Sequence, residues 1–184
     1  MNFRNTTRAW GAVSKTLHWL IVLLIISQWL IAEHADDLPN GAAKLRTLDL
    51  HKSIGMTVFM LAIIRLVWRL ANPVPSLDGL AKGWERFAAS FSHLALYALI
   101  FAMPITGWLM SSAHAYSVSW FHLFQWPDLL QPDHELAERL ESLHKLLFKI
   151  LVGVAVLHVL GALKHHFIDR NEVLKRMLPF GGVK

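Results

Sequence analysis

Four long apolar runs, each bounded by charged or turn-forming residues, take up most of the chain. The first covers about residues 16–33, through Leu17, Trp19, Ile21, Leu24, Ile26 and Leu30. The second covers about 50–70, with Ile54, Val58, Met60, Leu61, Ile63 and Val67. The third runs over about 91–112, from Phe91 through Tyr97, Ile100, Met103 and Leu109, and the fourth over about 143–165, with Leu147, Ile150, Val154, Val156 and Val159. At about 1.5 Å of helical rise per residue, each can cross a hydrocarbon layer roughly 30 Å thick if flanking Lys and Arg reach outward to finish the ends. The pattern predicts an all-α chain, an integral membrane four-helix bundle forming a single transmembrane domain over 1–184. With four spans, both termini lie on one side.

The connections are polar and short of repeats. Asn72-Pro73-Val74-Pro75 is a stiff break after the second helix. The third connection, 113–142, carries Trp120, Phe121, Phe124 and Trp126, which predicts a short interfacial helix or an aromatic belt segment. Arg4, Arg8 and Lys15 ahead of the first run, with Ala32 and Ala35 after it, have the look of a signal peptide, but the run is long for one and the expectation is a retained span.

Composition sharpens this. Of 184 residues 54% are hydrophobic and only 17% charged, against about a quarter charged in a soluble domain. Lys and Arg orient the spans. The N-terminus (Arg4, Arg8, Lys15), the second connection (Arg65, Arg69, Lys82, Arg86) and the tail (Lys164, Arg170, Lys175, Arg176, Lys184) hold twelve basic residues against four acids. The first and third connections hold six against nine, so the two faces carry +8 and −3 of the net +5. The basic face is therefore expected in the cytoplasm, and the charge expresses orientation in a lipid membrane, not nucleic-acid binding. The chain has no cysteine, which removes disulfides, thiolate zinc sites, iron–sulfur clusters and covalently attached c-type haem. Histidine, present eleven times, is the ligand that remains.

The histidines fall at two depths. His144 and His158 on the fourth helix are 14 residues apart, about 21 Å along the axis and within about 40° of the same direction. Arg65 follows His51 by the same interval, and Gly107 follows His93. The outer level gathers His51 and His144; the inner gathers His158 with His18 or His93, near Arg65. Two imidazoles facing across a bundle suit a bis-histidine b-type haem at each level. Gly55 and Gly161 relieve bulk where a porphyrin would lie, although small residues also serve plain helix packing. A His-lined metal transporter or proton channel is the rival. Such proteins combine His with intramembrane carboxylates, and the only one inside these spans is Glu33, at the outer rim of the first.

The ordered set His18-Trp19, His51-Lys52-Ser53-Ile54-Gly55, Arg65 to Arg69, His93-Leu94, Pro104-Ile105-Thr106-Gly107, His144, His158 and Lys164-His165-His166-Phe167 resembles the bacterial cytochrome b561 family over nearly the whole chain. These are small dihaem membrane cytochromes, similar to the b subunits of membrane hydrogenases and formate dehydrogenases. The resemblance implies two haem b groups as cofactors, His18 and His158 holding the inner and His51 and His144 the outer. It leaves His93 beside the inner haem or a quinone. It further implies a protein of the bacterial inner membrane that moves electrons between the periplasmic side and ubiquinone, one branch oxidising superoxide to oxygen. An electron carrier serving a periplasmic dehydrogenase or redox partner is the alternative.

Other residues attach to this scheme. Arg65 and Arg69 are candidates for haem propionates or a quinone head group, and His165, with Lys164 and His166, for proton supply to a quinone. Lys52 and Lys145 adjoin the outer ligands and are candidates for anion capture, with Lys149 and Arg139 nearby. That face is nonetheless acidic, through Asp128, Asp133, Glu135, Glu138 and Glu141, and suits a basic donor equally. His114, His122 and His134 read as surface residues or a weak metal site.

Overall fold

In a computed structural model, described here over residues 2–77 and 79–179, the chain forms four helices and one small hairpin. The helices are α1 (Ala12–Asp37), α2 (Ala42–Leu70), α3 (Gly83–Ala113) and α4 (His134–Phe167); strands β1 (Ser119–Trp120) and β2 (Phe124–Gln125) lie between the last two. Each helix contains its predicted span and extends beyond it. At 26 to 34 residues they are about 39–51 Å long, more than the hydrocarbon layer requires, so their ends reach into the head-group region. All four are long and apolar enough to cross a membrane.

The burial pattern is that of a protein solvated by lipid. Large side chains such as Leu23, Leu30, Ile64, Val67, Leu157 and Leu160 point outward, while the buried positions include small or hydroxylated residues: Ser14, Ser53, Ala62, Thr106, Ser111 and Ser112. With no hydrophobic drive between helices in lipid, close approach of small residues and internal hydrogen bonds hold them together. Backbone packing joins α1 to α2, α2 to α3 and α3 to α4. Among the described residues α4 makes no close backbone approach to α1 or α2, so across the bundle interior these helices meet through side chains only.

The segment before α1, the second connection and the residues after α4 gather at one end of the bundle. Asn5, which is buried, donates from Nδ2 to the Pro73 carbonyl (3.1 Å) and accepts at Oδ1 from the Gly11 amide (2.9 Å) and Ser14 Oγ (2.7 Å). From the tail, Arg176 donates to the Ser76 carbonyl (2.8 Å), and the Trp19 indole donates to the Met177 carbonyl (2.9 Å). Lys184, counted above on this face, lies outside the described residues.

The opposite end corrects one expectation. The aromatic segment of the third connection is a β-hairpin, not an interfacial helix, with Ser119 opposite Gln125 and Trp120 opposite Phe124. Phe121 and His122 at its tip have φ of 48° and 58°, the left-handed pair that turns a tight hairpin and cannot continue a helix. The hairpin is fastened to α2. Ser53 Oγ accepts from the Phe121 amide (3.0 Å) and lies 2.9 Å from the Ser119 carbonyl, and the Trp120 indole donates to Thr57 Oγ1 (3.0 Å). α4 is then capped by Asp133, whose carboxylate accepts from the Leu136 amide (3.0 Å).

Candidate functional site: two levels of imidazoles

The hairpin end holds His51 of α2 and His144 of α4, their ring centroids 6.4 Å apart and their planes at 74°. Two imidazoles on opposite sides of one metal atom, each bound at about 2 Å, have centroids roughly 6 Å apart, so this pair has the span of a trans ligand set. Side chains on other helices hold each member. His144 Nδ1 lies 3.0 Å from Thr106 Oγ1 on α3. Gln28 on α1 donates from Nε2 to the backbone carbonyl of His51 (2.8 Å). Nδ1 of His51 and Oε1 of Gln28 are buried without a protein partner.

Gly55 on α2 and Gly107 on α3 serve this arrangement directly. A Cβ at Gly55 would stand 2.9 Å from Gln28 Nε2, and one at Gly107 3.3 Å from His144 Cε1. Within this chain, then, Gly55 admits Gln28. Gly107 admits the His144 ring. Gly161 has nothing within 4 Å of where its Cβ would be.

At the other level three histidines converge. His93 of α3 and His158 of α4 are in edge-to-face contact at 5.1 Å between centroids. His18 of α1 lies within electrostatic reach of both and of Arg65, stacks edge-on against Trp19 (5.3 Å) and keeps a buried Nδ1 without a partner. The His93–His158 spacing is that of two rings in contact, shorter than the roughly 6 Å of imidazoles on opposite sides of one metal atom. Beside them Arg65 and Arg69 lie over the Tyr97 ring at 5.6 and 5.8 Å, with Arg69 also 5.7 Å from Trp10. These four residues, with Ser14 and Met177, line a small pocket. Cation–π contact holds guanidinium groups without neutralising them.

The remaining predicted residues are elsewhere. His165 is buried at the inner end of α4, where its ring meets the Asp169 carboxylate at 2.8 Å. The adjacent Lys164 ammonium bonds Glu85 at 2.6 Å and Asp169 at 2.8 Å. That ammonium hydrogen-bonds the Asp169 carboxyl and holds it below the ordinary aspartate range. Glu85, His165 and Asp169 could group around a cation, but Lys164 already supplies the positive charge. Lys52 pairs with Asp49 at 2.8 Å and donates to the Ser117 carbonyl (3.3 Å); Lys145 pairs with Glu141 at 2.6 Å. Neither lysine presents an uncompensated charge beside the outer histidines. His114 lies 3.9 Å from Glu141 and His134 3.6 Å from Glu138, while His122 is exposed at the hairpin tip. No three ligand atoms from these residues are close enough to share an ion.

Reading the sequence missed Gln28, Ser53, Tyr97, Thr106 and Trp10 as individuals. Four left a signal. Gln28 is a lone amide in an apolar run, Ser53 and Thr106 sit inside quoted motifs, and Tyr97 follows His93 by four residues, on the same helical face. Trp10 precedes the first span, and only the fold of the N-terminal segment brings it to Arg69.

Comparison with known proteins agrees with this geometry. The family described as prokaryotic cytochrome b561 matches residues 9–180. Cytochrome b561 homolog 2 of Escherichia coli (strain K12) is 36% identical over 97% of this chain and 95% of its own length. A protein of Yersinia pestis named "Probable superoxide oxidase CybB" is 30% identical over 89% of this chain and 92% of its own. Cytochrome b561 homolog 1 of E. coli (strain K12) is 28% identical over 89% and 93%. Four membrane-crossing helices with two levels of inward imidazoles, matched over nearly their full length, place this chain in the prokaryotic cytochrome b561 family of haem b-binding, multi-pass membrane electron-transfer proteins.

Proposed function

We propose that the chain is a dihaem cytochrome of the bacterial inner membrane that passes electrons from a donor at the hairpin end to ubiquinone at the end where the termini gather. His51 and His144 would hold the outer haem, His18 and His158 the inner. The observation that carries this is the 6.4 Å span between the His51 and His144 rings, met across helices whose backbones stay apart. The donor set suits the group: imidazole without thiolate, in an apolar bundle. Bound haem b supplies reversible one-electron chemistry.

At the inner level His93 is in ring contact with His158, which favours His18 as the second ligand and gives His93 a place beside the quinone or the haem edge. Arg65 and Arg69, with Tyr97 and Trp10, are cations suited to propionates or to the oxygens of a quinone head group. The twelve basic residues on that side favour a cytoplasmic placement of both termini.

The reaction that the relatives favour is superoxide:ubiquinone oxidoreduction. Two superoxide anions each give up one electron to leave dioxygen, and one ubiquinone takes both electrons with two protons. The name of the Y. pestis relative supports this substrate. A second reading, electron carrier for a cationic periplasmic protein, draws on the pairing of Lys52 and Lys145 with Asp49 and Glu141, which leaves the outer rim acidic.

Purified protein should show a reducible b-type spectrum with two haems, and His144→Ala and His158→Ala should each lose one. Pulsed superoxide with no protein partner should then reduce added ubiquinone. Failure with both haems intact leaves the carrier reading; absence of haem ends both.

A further inference from the structure

We infer that Thr106 is a positioning residue for the outer site, fixing His144 as the tautomer whose Nε2 is free to bind metal. The inference rests on the reading of His144 as a haem ligand and goes beyond it, since nothing in the ligand assignment requires Thr106. Its basis is a three-way contact. Thr106 Oγ1 lies 2.8 Å from the Ala102 carbonyl, 2.9 Å from the Met103 carbonyl and 3.0 Å from His144 Nδ1. Carbonyl oxygens only accept, and a hydroxyl has one proton. Two carbonyls this close require that proton to lie toward them; otherwise lone pairs would face one another at less than 3 Å. The hydroxyl oxygen is thus left as an acceptor toward the ring. At 3.0 Å, Nδ1 must carry a proton and donate it to Oγ1.

The consequence falls on the other ring nitrogen. A neutral imidazole protonated at Nδ1 has its lone pair at Nε2, and a hydrogen bond from Nδ1–H fixes the ring's orientation and raises its basicity as a ligand. Gly107 completes the cradle by leaving room for Cε1 at 3.3 Å from where a Cβ would be. One residue bonds the ring and the next makes space for it. His51 has no equivalent, because its Nδ1 is buried without a protein partner, so the outer pair is asymmetric and the tuning is exerted through His144.

The test is a series at Thr106 in the full-length, haem-loaded protein, read by potentiometric titration of each haem and by low-temperature electron paramagnetic resonance. Thr106→Val keeps the shape and removes the acceptor; Thr106→Ser keeps the acceptor. A more basic ligand favours the oxidised iron, so Thr106→Val raises the midpoint potential of the outer haem and leaves the inner one in place. Partners of this kind are worth about 10–100-fold in metal affinity. If the preference for oxidised over reduced iron drops tenfold, the potential rises by about 59 mV for one electron. Thr106→Ser restores the wild-type potential and resonance positions. Unchanged potentials in Thr106→Val, or a shift in Thr106→Ser as large as in Thr106→Val, overturn the proposal. If Thr106→Val fails to fold, Thr106→Ala against Thr106→Ser makes the same comparison. A His144→Ala protein that keeps two haems refutes the ligand reading and this inference with it, an outcome distinct from unchanged potentials at Thr106.

Discussion

Replacing Ser53 by alanine removes the hydroxyl that fastens the hairpin to α2, and the structure allows its effect to be sized. Ser53 is 3% exposed. Its Oγ accepts from the Phe121 amide (3.0 Å), and its own proton goes to the Ser119 or the Asp49 carbonyl, each at 2.9 Å. The Asp49 carbonyl keeps its helical partner in the variant. The Phe121 amide loses its acceptor beneath the hairpin tip. A net hydrogen bond is worth about 0.5–1.5 kcal/mol, and a buried donor left alone costs about 1–3 kcal/mol. The hairpin should therefore be docked about 1–2 kcal/mol less tightly, roughly tenfold in its opening equilibrium. Two attachments remain, Trp120 to Thr57 (3.0 Å) and Lys52 to the Ser117 carbonyl (3.3 Å), so the loosening is confined to the hairpin. Hydrogen–deuterium exchange in detergent or nanodiscs should show about tenfold faster exchange across residues 119–125, with the four helices unchanged. Adding Thr57→Val should give more than the sum of the single effects, because the two contacts hold one element. Unchanged exchange at the hairpin would refute the pinning role; a loss of protection throughout the bundle would show that Ser53 serves helix packing instead.

Three further outcomes are expected. Gly107→Val places a branched side chain where even a Cβ stands 3.3 Å from His144 Cε1; it should cost the outer haem and spare the inner, and full occupancy by pyridine haemochrome assay would count against the cradle. Asp169 has its carboxyl held below the ordinary value of 3.8 by Lys164. Its contribution to stability is thus complete above that value and lost as pH falls through the lowered one. Thermal melts between pH 3 and 7 (about the ordinary carboxylate range and above) should steepen toward acid in the wild type and flatten in Asp169→Asn; parallel profiles would contradict the clasp. Lys52 and Lys145 are already paired, and exposed pairs are worth about 0.2–1 kcal/mol. Lys52→Met and Lys145→Met should therefore each change superoxide-driven quinone reduction by less than about fivefold, and a larger fall would assign them to anion capture.

How much of this was legible beforehand follows from which contacts are local. Helix periodicity and spacing within one helix are written along the chain, so the spans, the 14-residue interval and the two levels could be read directly. Contacts that depend on how two helices rotate against each other could not. Which of His18 and His93 pairs with His158 is such a contact: both face the inner level from different helices, and the fold brings the His93 ring to 5.1 Å from that of His158. In the third connection the Trp and Phe content dominates and points to a helix or belt. The hairpin depends instead on left-handed backbone at Phe121 and His122, residue types that seldom advertise it, and on anchors 63 to 68 residues away on α2. Lys52 and Lys145 looked like free cations because adjacency to a ligand is visible in sequence, whereas the carboxylates that neutralise them become neighbours only once the helix is built.

The same distinction explains why the outer level is the better organised of the two. Each of its histidines is tied to a further helix: Gln28 of α1 bonds the backbone carbonyl of His51, and Thr106 of α3 meets the His144 ring. In both cases a glycine clears the approach, Gly55 for the amide and Gly107 for the ring. A bundle whose helices α2 and α4 do not touch by backbone cannot fix a ligand pair by packing alone, since lipid-exposed helices are free to rotate by small angles at little cost. Hydrogen bonds from the flanking helices restrain that rotation at the depth where the imidazoles face each other. At the inner level the restraint comes from aromatic and guanidinium contacts around Tyr97 and from the ion cluster at Lys164. These are less directional than the Thr106 and Gln28 bonds, which is consistent with the quinone-side role proposed for that level.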